Sequence, residues 1–475
     1  MKHLGKNPIR MNKLKWILLA IMGLSIKISH AQDKEQPNFI VIFTDDQGYG
    51  DLSSFGHPTI KTPNIDRMAY EGQKWTNFYV ASNVCTPSRF GLMSGRLPVR
   101  AGMEGPDSRR VFFPDSEGGI PADELTIAEM LKTKNYSTAC VGKWHLGHLP
   151  KYLPTSNGFD YYFGIPYSND MDRNPDFKYE RFQKTSGDSR GFNVPILRNE
   201  TEIERPANQS TLTQRYTEES IKFIKEHKDK PFFLYMAHNM PHIPLFSNAN
   251  FTGTSERGIY GDVIQEIDWS VGQIFETLKT EGLDENTYVI FTTDNGPWLV
   301  FGENGGSAGL LYGGKGTSYE GGQRVPCVIW GKDVKSGIIS KMGSTLDVLP
   351  TICSLARIET PKDRILDGYD LSPVMRGEDV TPRDEMFFYH GTRLFAVRKG
   401  AHKLYFLSNN PVGYPPKIEE LENPTLFNVL TDPSEKIDIA SDNQDIVIKL
   451  KKIAEVHLAT VKEVPNQLTR IAKKR

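Results

Sequence analysis

Apolar positions in this chain recur with two different periods. Residues 38–43, Asn-Phe-Ile-Val-Ile-Phe, form an unbroken apolar, largely β-branched run. Such a run suits a strand buried on both faces, as in a parallel sheet. The runs at 137–141, 231–236, 288–292 and 325–330 repeat the pattern. Between them, apolar residues fall at helical spacing over 127–131, 220–227 and 262–279. The last of these places Val263, Ile264, Ile267, Val271, Ile274, Phe275 and Leu278 on one stripe. Alternation of buried strands with amphipathic helices predicts an α/β fold, a large mostly parallel sheet covered by helices on both faces. Beyond about residue 379 the pattern changes to short runs at 385–390, 394–398 and 402–407 with turns between them. These predict a smaller C-terminal antiparallel sheet, and 445–461 predicts a terminal helix. The expected organisation is a large α/β domain over 38–378 and an α+β subdomain over 379–475. The stretch 168–208 is polar and weakly periodic and reads as a surface loop or a substrate-facing loop.

The N-terminus stands apart from these patterns. Lys2, Lys6, Arg10, Lys13 and Lys15 precede an apolar run at 16–26 that ends at Lys27, and Ser29-His30-Ala31 offers small residues for cleavage. This predicts a signal peptide over 1–31 and an exported protein, periplasmic or secreted, with Met11 as an alternative start. The run is too short for a bilayer, which needs about 20 residues, although a short membrane anchor is the other reading. No later segment reads as a transmembrane span. The charge balance, 57 Lys plus Arg against 58 Asp plus Glu, provides no bulk field for nucleic acid, so an anionic ligand must be held by local cations. The four cysteines form no Cys-x-x-Cys pair, which removes zinc ribbons and dithiol redox motifs. Cys140, Cys327 and Cys353 each lie in an apolar run and read as buried small hydrophobes.

Candidate chemistry collects where the buried runs end. In open α/β sheets the carboxyl edge of the strands is the ligand-binding edge. Asp45-Asp46 follows the first run and Asp294-Asn295 follows the 288–292 run. Together these oxygen donors make a cage for one hard divalent cation, Ca²⁺ or Mg²⁺. Gly142-Lys143-Trp144-His145 follows the 137–141 run, and His238 and His242 follow 231–236. His238 and His148 read as satisfied core groups, Glu320 and Arg324 as structural partners near the site, and Trp144 as packing.

The segment Cys85-Thr86-Pro87-Ser88-Arg89-Phe90-Gly91-Leu92-Met93-Ser94-Gly95-Arg96 resembles the signature of the formylglycine-dependent sulfatases, arylsulfatase A-like branch, within the alkaline phosphatase superfamily. Every fixed position of that signature is met. Gly142 to Gly147, the Gly164-Ile165-Pro166-Tyr167-Ser168 stretch, Met240-Pro241-His242-Ile243-Pro244 and the 314–322 stretch containing Lys315 resemble the family's further motifs in order and spacing. The resemblance covers nearly the whole mature chain, with no departure at a catalytic position. It implies that the larger domain is catalytic and that a separate formylglycine-generating enzyme, reading Cys85, Pro87 and Arg89, oxidises Cys85. The hydrated aldehyde would be the nucleophile and, with Asp45, Asp46, Asp294 and Asn295, a ligand of one cation, calcium in preference to magnesium. It implies further that Lys143 and Lys315 hold the sulfate, that Ser168 sits beside the hydrated nucleophile or the sulfate, and that Arg89 holds the nucleophile and the carboxylates. His242 would protonate the leaving alcohol, and His145 would take the proton that releases sulfate. Pro87 and Ser88 suit a helix opening, whose free N–H groups favour an anion.

The expected activity is therefore hydrolysis of a sulfuric ester on a sulfated carbohydrate, of the algal galactan or glycosaminoglycan type. Two alternatives stand beside it. One is a formylglycine-dependent phosphonate monoester hydrolase or phosphodiesterase. A two-metal phosphatase is a poorer match, because the chain reads Asp294-Asn295-Gly296 where such enzymes read Asp-His-Gly, and no second set of ligands is visible. The other is an unactivated protein that only binds sulfated glycans.

Overall fold

In the computed structural model, residues 36–176, 191–413 and 417–472 are described. The signal segment expected at 1–31 lies outside the described residues, as does 177–190 of the polar stretch.

Ten strands form one sheet: β1 (Asn38–Thr44), β2 (Gln73–Tyr79), β3 (Ser137–Gly142), β4 (Tyr161–Gly164), β5 (Ile196–Arg198), β6 (Thr201–Glu204), β7 (Phe232–Ala237), β8 (Thr287–Thr293), β9 (Arg324–Gly331) and β10 (Gly337–Ser344). Their order is β10-β2-β9-β8-β1-β7-β3-β4-β5-β6. Neighbours β8, β1, β7, β3 and β4 are parallel. β9 opposes both β8 and β2, and β5 opposes both β4 and β6. The sheet is thus mixed, with a parallel centre. β1 runs down that centre and is buried along its whole length. Its Phe39, Val41 and Phe43 enter the core on one face, and Ile40 and Ile42 the core on the other. An unbroken apolar run is what a strand covered on both sides requires, since each face removes its own alternate residues from water.

Helices packed with the sheet include α1 (Pro63–Glu71), α2 (Cys85–Ser94), α3 (Ile127–Lys132), α4 (Leu212–Glu226), α5 (Ile259–Thr280) and α6 (Val348–Leu355), of which α2 carries site residues. The stripe of α5 buries Val263, Ile264, Ile267, Val271, Ile274 and Leu278 on one side of the sheet, while Val348, Leu349 and Ile352 of α6 bury on the other. β11 (Glu385–His390), β12 (Arg393–Lys399), β13 (His402–Asn409) and β14 (Ile418–Asn428) form an antiparallel sheet, packed with α7 (Gln444–Leu458) over a third core. Cys140, Cys327 and Cys353 are buried and unbridged. No described helix is long and apolar enough to cross a membrane.

Several elements differ from the sequence reading. β2, β4, β10 and β14 were not expected, and part of the polar stretch 168–208 is the hairpin β5–β6 on the sheet edge. β2 carries Gln73, Lys74, Thr76 and Asn77 among its apolar residues, and much of β14 is exposed. The terminal helix also closes earlier than expected, at Leu458.

Candidate active site

Register brings the acidic residues together. β1 and β8 pair with Thr44 opposite Thr293, so Asp45 and Asp294 leave adjacent strands at one level. The Asp46 backbone N–H donates to Asp294 Oδ1 at 3.1 Å, and Asn295 Nδ2 donates to Asp46 Oδ1 at 2.7 Å. Ligand atoms of Asp45, Asp46, Cys85 and Asp294 all lie within 4.8 Å of one another. Asn295 Oδ1 is buried without a partner among the described residues. Three carboxylates and one unsatisfied amide oxygen, all buried, form a hard-oxygen donor set that fits a divalent cation.

Cationic groups enclose this set. Lys143, one residue past β3, places Nζ 2.5 Å from Asp45 Oδ2 and 3.1 Å from Ser168 Oγ. Lys315 places Nζ 2.8 Å from Asp46 and 3.7 Å from Cys85 Sγ, and 4.0 Å from the centre of the Trp298 ring. Arg89 Nη2 lies 2.8 Å from Asp294 Oδ2 and 3.4 Å from Asp45 Oδ1, with Nη1 donating to the Tyr235 hydroxyl. Burial pushes the Asp45 carboxyl up, but the Lys143 and Arg89 charges outweigh it and hold it well below the usual carboxylate range. Burial and then the Asp45 charge push Asp294 up to about 7.

Cys85 is the first residue of α2, and its sulfur lies 3.4 Å from Asp45 Oδ1. Burial pushes the thiol up, the Asp45 charge adds to that, and the sulfur stays a neutral, poorly nucleophilic thiol. Thr86 Oγ1 donates to the His145 carbonyl at 3.0 Å, tying the first turn of α2 to the segment after β3. Asp46 and His145 both have left-handed backbones, with φ of 63° and 59°, a conformation that is sparse for non-glycine residues and concentrated at functional sites.

Each histidine tautomer follows from a carbonyl partner. His145 Nε2 is 2.9 Å from the Phe112 carbonyl, which can only accept, so Nε2 carries the hydrogen and Nδ1, unpartnered among the described residues, is bare. His242 Nδ1 is likewise committed to the Ile243 carbonyl, leaving Nε2 3.6 Å from Asp46 Oδ2. Burial, then Lys143, lowers the His145 pKa, and burial, then Lys315, lowers that of His242, so both rest neutral.

All eleven residues singled out in the sequence meet here: Asp45, Asp46, Cys85, Arg89, Lys143, His145, Ser168, His242, Asp294, Asn295 and Lys315. His238 and His148 stand apart, packed beside Tyr216 and Tyr167. The sequence reading did not find Tyr235, Phe112 or Trp298. Trp298 was the most findable, since it lies three residues past Asn295 at a strand end already marked.

The family model for sulfatases matches residues 37–358 of this chain. The chain belongs to the sulfatase family. A second model, the C-terminal region of aryl-sulfatase, matches residues 381–475 of this sulfatase. The sulfatase is 35% identical to N-acetylgalactosamine-6-sulfatase of Canis lupus familiaris, covering 95% of this chain and 91% of the relative. It is 37% identical to human arylsulfatase A, covering 88% of this chain and 87% of the relative. Among solved structures, a Bacteroides thetaiotaomicron sulfatase from work on the metabolism of multiple glycosaminoglycans superposes with a TM-score of 0.77 at 30% identity, over 90% of this sulfatase and all of that chain. The enzyme is a sulfatase, a hydrolase of sulfuric esters.

Proposed function

We propose that this sulfatase removes sulfate from a sulfated carbohydrate, using a formylglycine made from Cys85 and one divalent cation, calcium in preference to magnesium. The observation that carries the reading is the setting of Cys85. Its sulfur opens a helix beside Asp45 and the Lys315 ammonium, in a site where an unmodified thiol is held neutral. Asp45, Asp46, Asp294 and Asn295, with the modified Cys85, would hold the cation. The formylglycine would supply a hydrated aldehyde as nucleophile, and the cation would lower its pKa and offset sulfate charge.

The remaining work falls to the side chains. Lys143 and Lys315 present ammonium groups where sulfate oxygens gather charge, with Ser168 beside Lys143. Arg89 holds Asp294 and Asp45 in place for the nucleophile. The arriving sulfate charge offsets Lys315 and raises the pKa that Lys315 lowers, so His242 takes up a solvent proton on Nε2 and gives it to the leaving alcohol oxygen. His145 Nδ1, bare and buried, takes the proton whose loss expels sulfate. The names of two relatives, one for N-acetylgalactosamine and one for glycosaminoglycans, support a sulfated sugar as substrate. We assign the chemistry to residues 38–378, treat 379–475 as a subdomain, and read the chain as exported on its 1–31 segment.

The test is sulfate release by mature protein co-expressed with a formylglycine-generating enzyme, assayed on sulfated oligosaccharides and a simple aryl sulfate. The Cys85 peptide should be lighter than the thiol form by about 18 daltons. Release from a sugar that vanishes in Cys85→Ala supports the reading. No release with the modification confirmed would move the activity to phosphonates or phosphodiesters.

A further inference from the structure

Lys315 lies on a segment that the C-terminal sheet grips from outside. Lys403 of β13 donates from Nζ to the Ser318 carbonyl at 2.9 Å and pairs with Glu320 Oε1 at 2.9 Å. The Tyr405 hydroxyl donates to the same carbonyl at 3.2 Å. Glu435 Oε2 accepts the Glu320 backbone N–H at 2.8 Å. Ser318 and Glu320 are three and five residues beyond Lys315. On its other side the segment is tied to the site, the Lys315 N–H donating to the Pro297 carbonyl at 2.9 Å and the Gly316 N–H to the Asn83 carbonyl at 2.8 Å. Lys403 and Glu320 have no exposed side-chain surface. A buried ion pair is poor glue, because apolar residues of like volume hold two surfaces together as well or better; what it provides is one fixed geometry. Here that geometry belongs to the backbone that aims Lys315 at Asp46 and Cys85.

We propose that Lys403, acting with Glu320, is a positioning residue for Lys315, so that the C-terminal sheet completes the sulfate-binding wall of the site. This rests on the reading of Lys315 as a sulfate-holding group. Lys403 touches neither substrate nor cation; it fixes the carbonyl and carboxylate that set the Lys315 segment.

Four variants of the full, matured chain test this: Lys403→Arg, the double Glu320→Gln/Lys403→Met, Lys315→Ala, and the triple combination. The double change removes both charges of the pair together, and Glu435, 3.5 Å from Lys403, and Arg324, 3.4 Å from Glu320, each lose one partner. On an aryl sulfate it is expected to lower kcat about 10- to 100-fold and to weaken inhibition by inorganic sulfate, with its circular dichroism spectrum unchanged. Lys403→Arg is expected to recover most of that loss. The double change is expected to cost little more once Lys315 is alanine, because its effect passes through Lys315. Equal losses with and without Lys315 would overturn the proposal, as would a folded double variant with unchanged kcat and sulfate inhibition. A wild-type enzyme that neither releases nor binds sulfate would sink the reading of Lys315 itself, and the proposal with it.

Discussion

The Lys143 and Lys315 ammonium groups sit against carboxylates, Asp45 and Asp46, that would also ligand the cation. Their charge would therefore be held next to the proposed sulfate position by partners that do not leave during the reaction, which is the arrangement that stabilises developing charge without reorganisation. Lys315→Ala and Lys143→Ala should each lower kcat by about 10²–10³-fold while calorimetry still detects calcium. Loss of calcium binding in step with kcat would mean that the lysines build the cage instead. Chelation should abolish sulfate release, with calcium restoring it better than magnesium. Calcium at a hundred times its Kd should raise unfolding free energy by about 2.7 kcal/mol, measured by urea titration with and without the ion. At this scale the sequence was readable wherever a buried run ends in a charged side chain, as at Asp45, Lys143 and Asp294. Phe112 acts through its carbonyl, which no side-chain pattern reveals, and Tyr235 sits inside the apolar run of β7, where an aromatic reads as core.

At the carboxyl ends of β3, β7 and β4 the backbones approach more closely than side chains allow. A Cβ on Gly142 would lie 1.9 Å from the Ala237 carbonyl oxygen, and one on Gly164 1.9 Å from that of Gly142. Gly142 also has φ of 117°, so an L side chain there would be strained in its own backbone as well. Gly142→Ala should cost at least about 1–3 kcal/mol of unfolding free energy and shift Lys143 and His145, lowering kcat; a change within about 0.5 kcal/mol would show that the strands can part freely. The central strands were legible because burial on both faces demands uninterrupted apolar residues. Edge strand β10 and the exposed strand β14 have no such demand, and their mixed composition left them unread.

Across the whole molecule, the two sheets meet through charges that titrate in opposite senses. Burial pushes Glu320 up, but Lys403, Arg398 and Arg324 outweigh it and hold it at about 2, against an ordinary 4.5. Burial, then the Glu320 charge, pushes Glu435 up to about 7 despite Lys403. A lowered acid stabilises above its unfolded pKa and loses that contribution as pH falls toward 2; a raised acid stabilises below 4.5 and loses it as pH climbs through 7. Their joint contribution should therefore peak near pH 4.5. In urea unfolding from about pH 3 to about pH 8, Glu320→Gln should flatten the acid side of the difference curve and Glu435→Gln the neutral side. A Glu320→Gln curve parallel to wild type below pH 4.5 would contradict the assignment. The sequence signalled the change of pattern near residue 379, but not that Lys403 and Glu435 reach back toward Lys315, because long-range pairing of buried charges leaves no periodic trace. Burial of the cysteine segment has its own consequence. Cys85, Thr86, Ser88 and Arg89 have at most 2% of their surface exposed, and α2 is buried from end to end. A second protein cannot seat that segment in its own cleft once the fold has closed. If Cys85 is oxidised as proposed, oxidation and folding would then compete for the same newly made chain, and the fraction of active molecules would become a record of which came first.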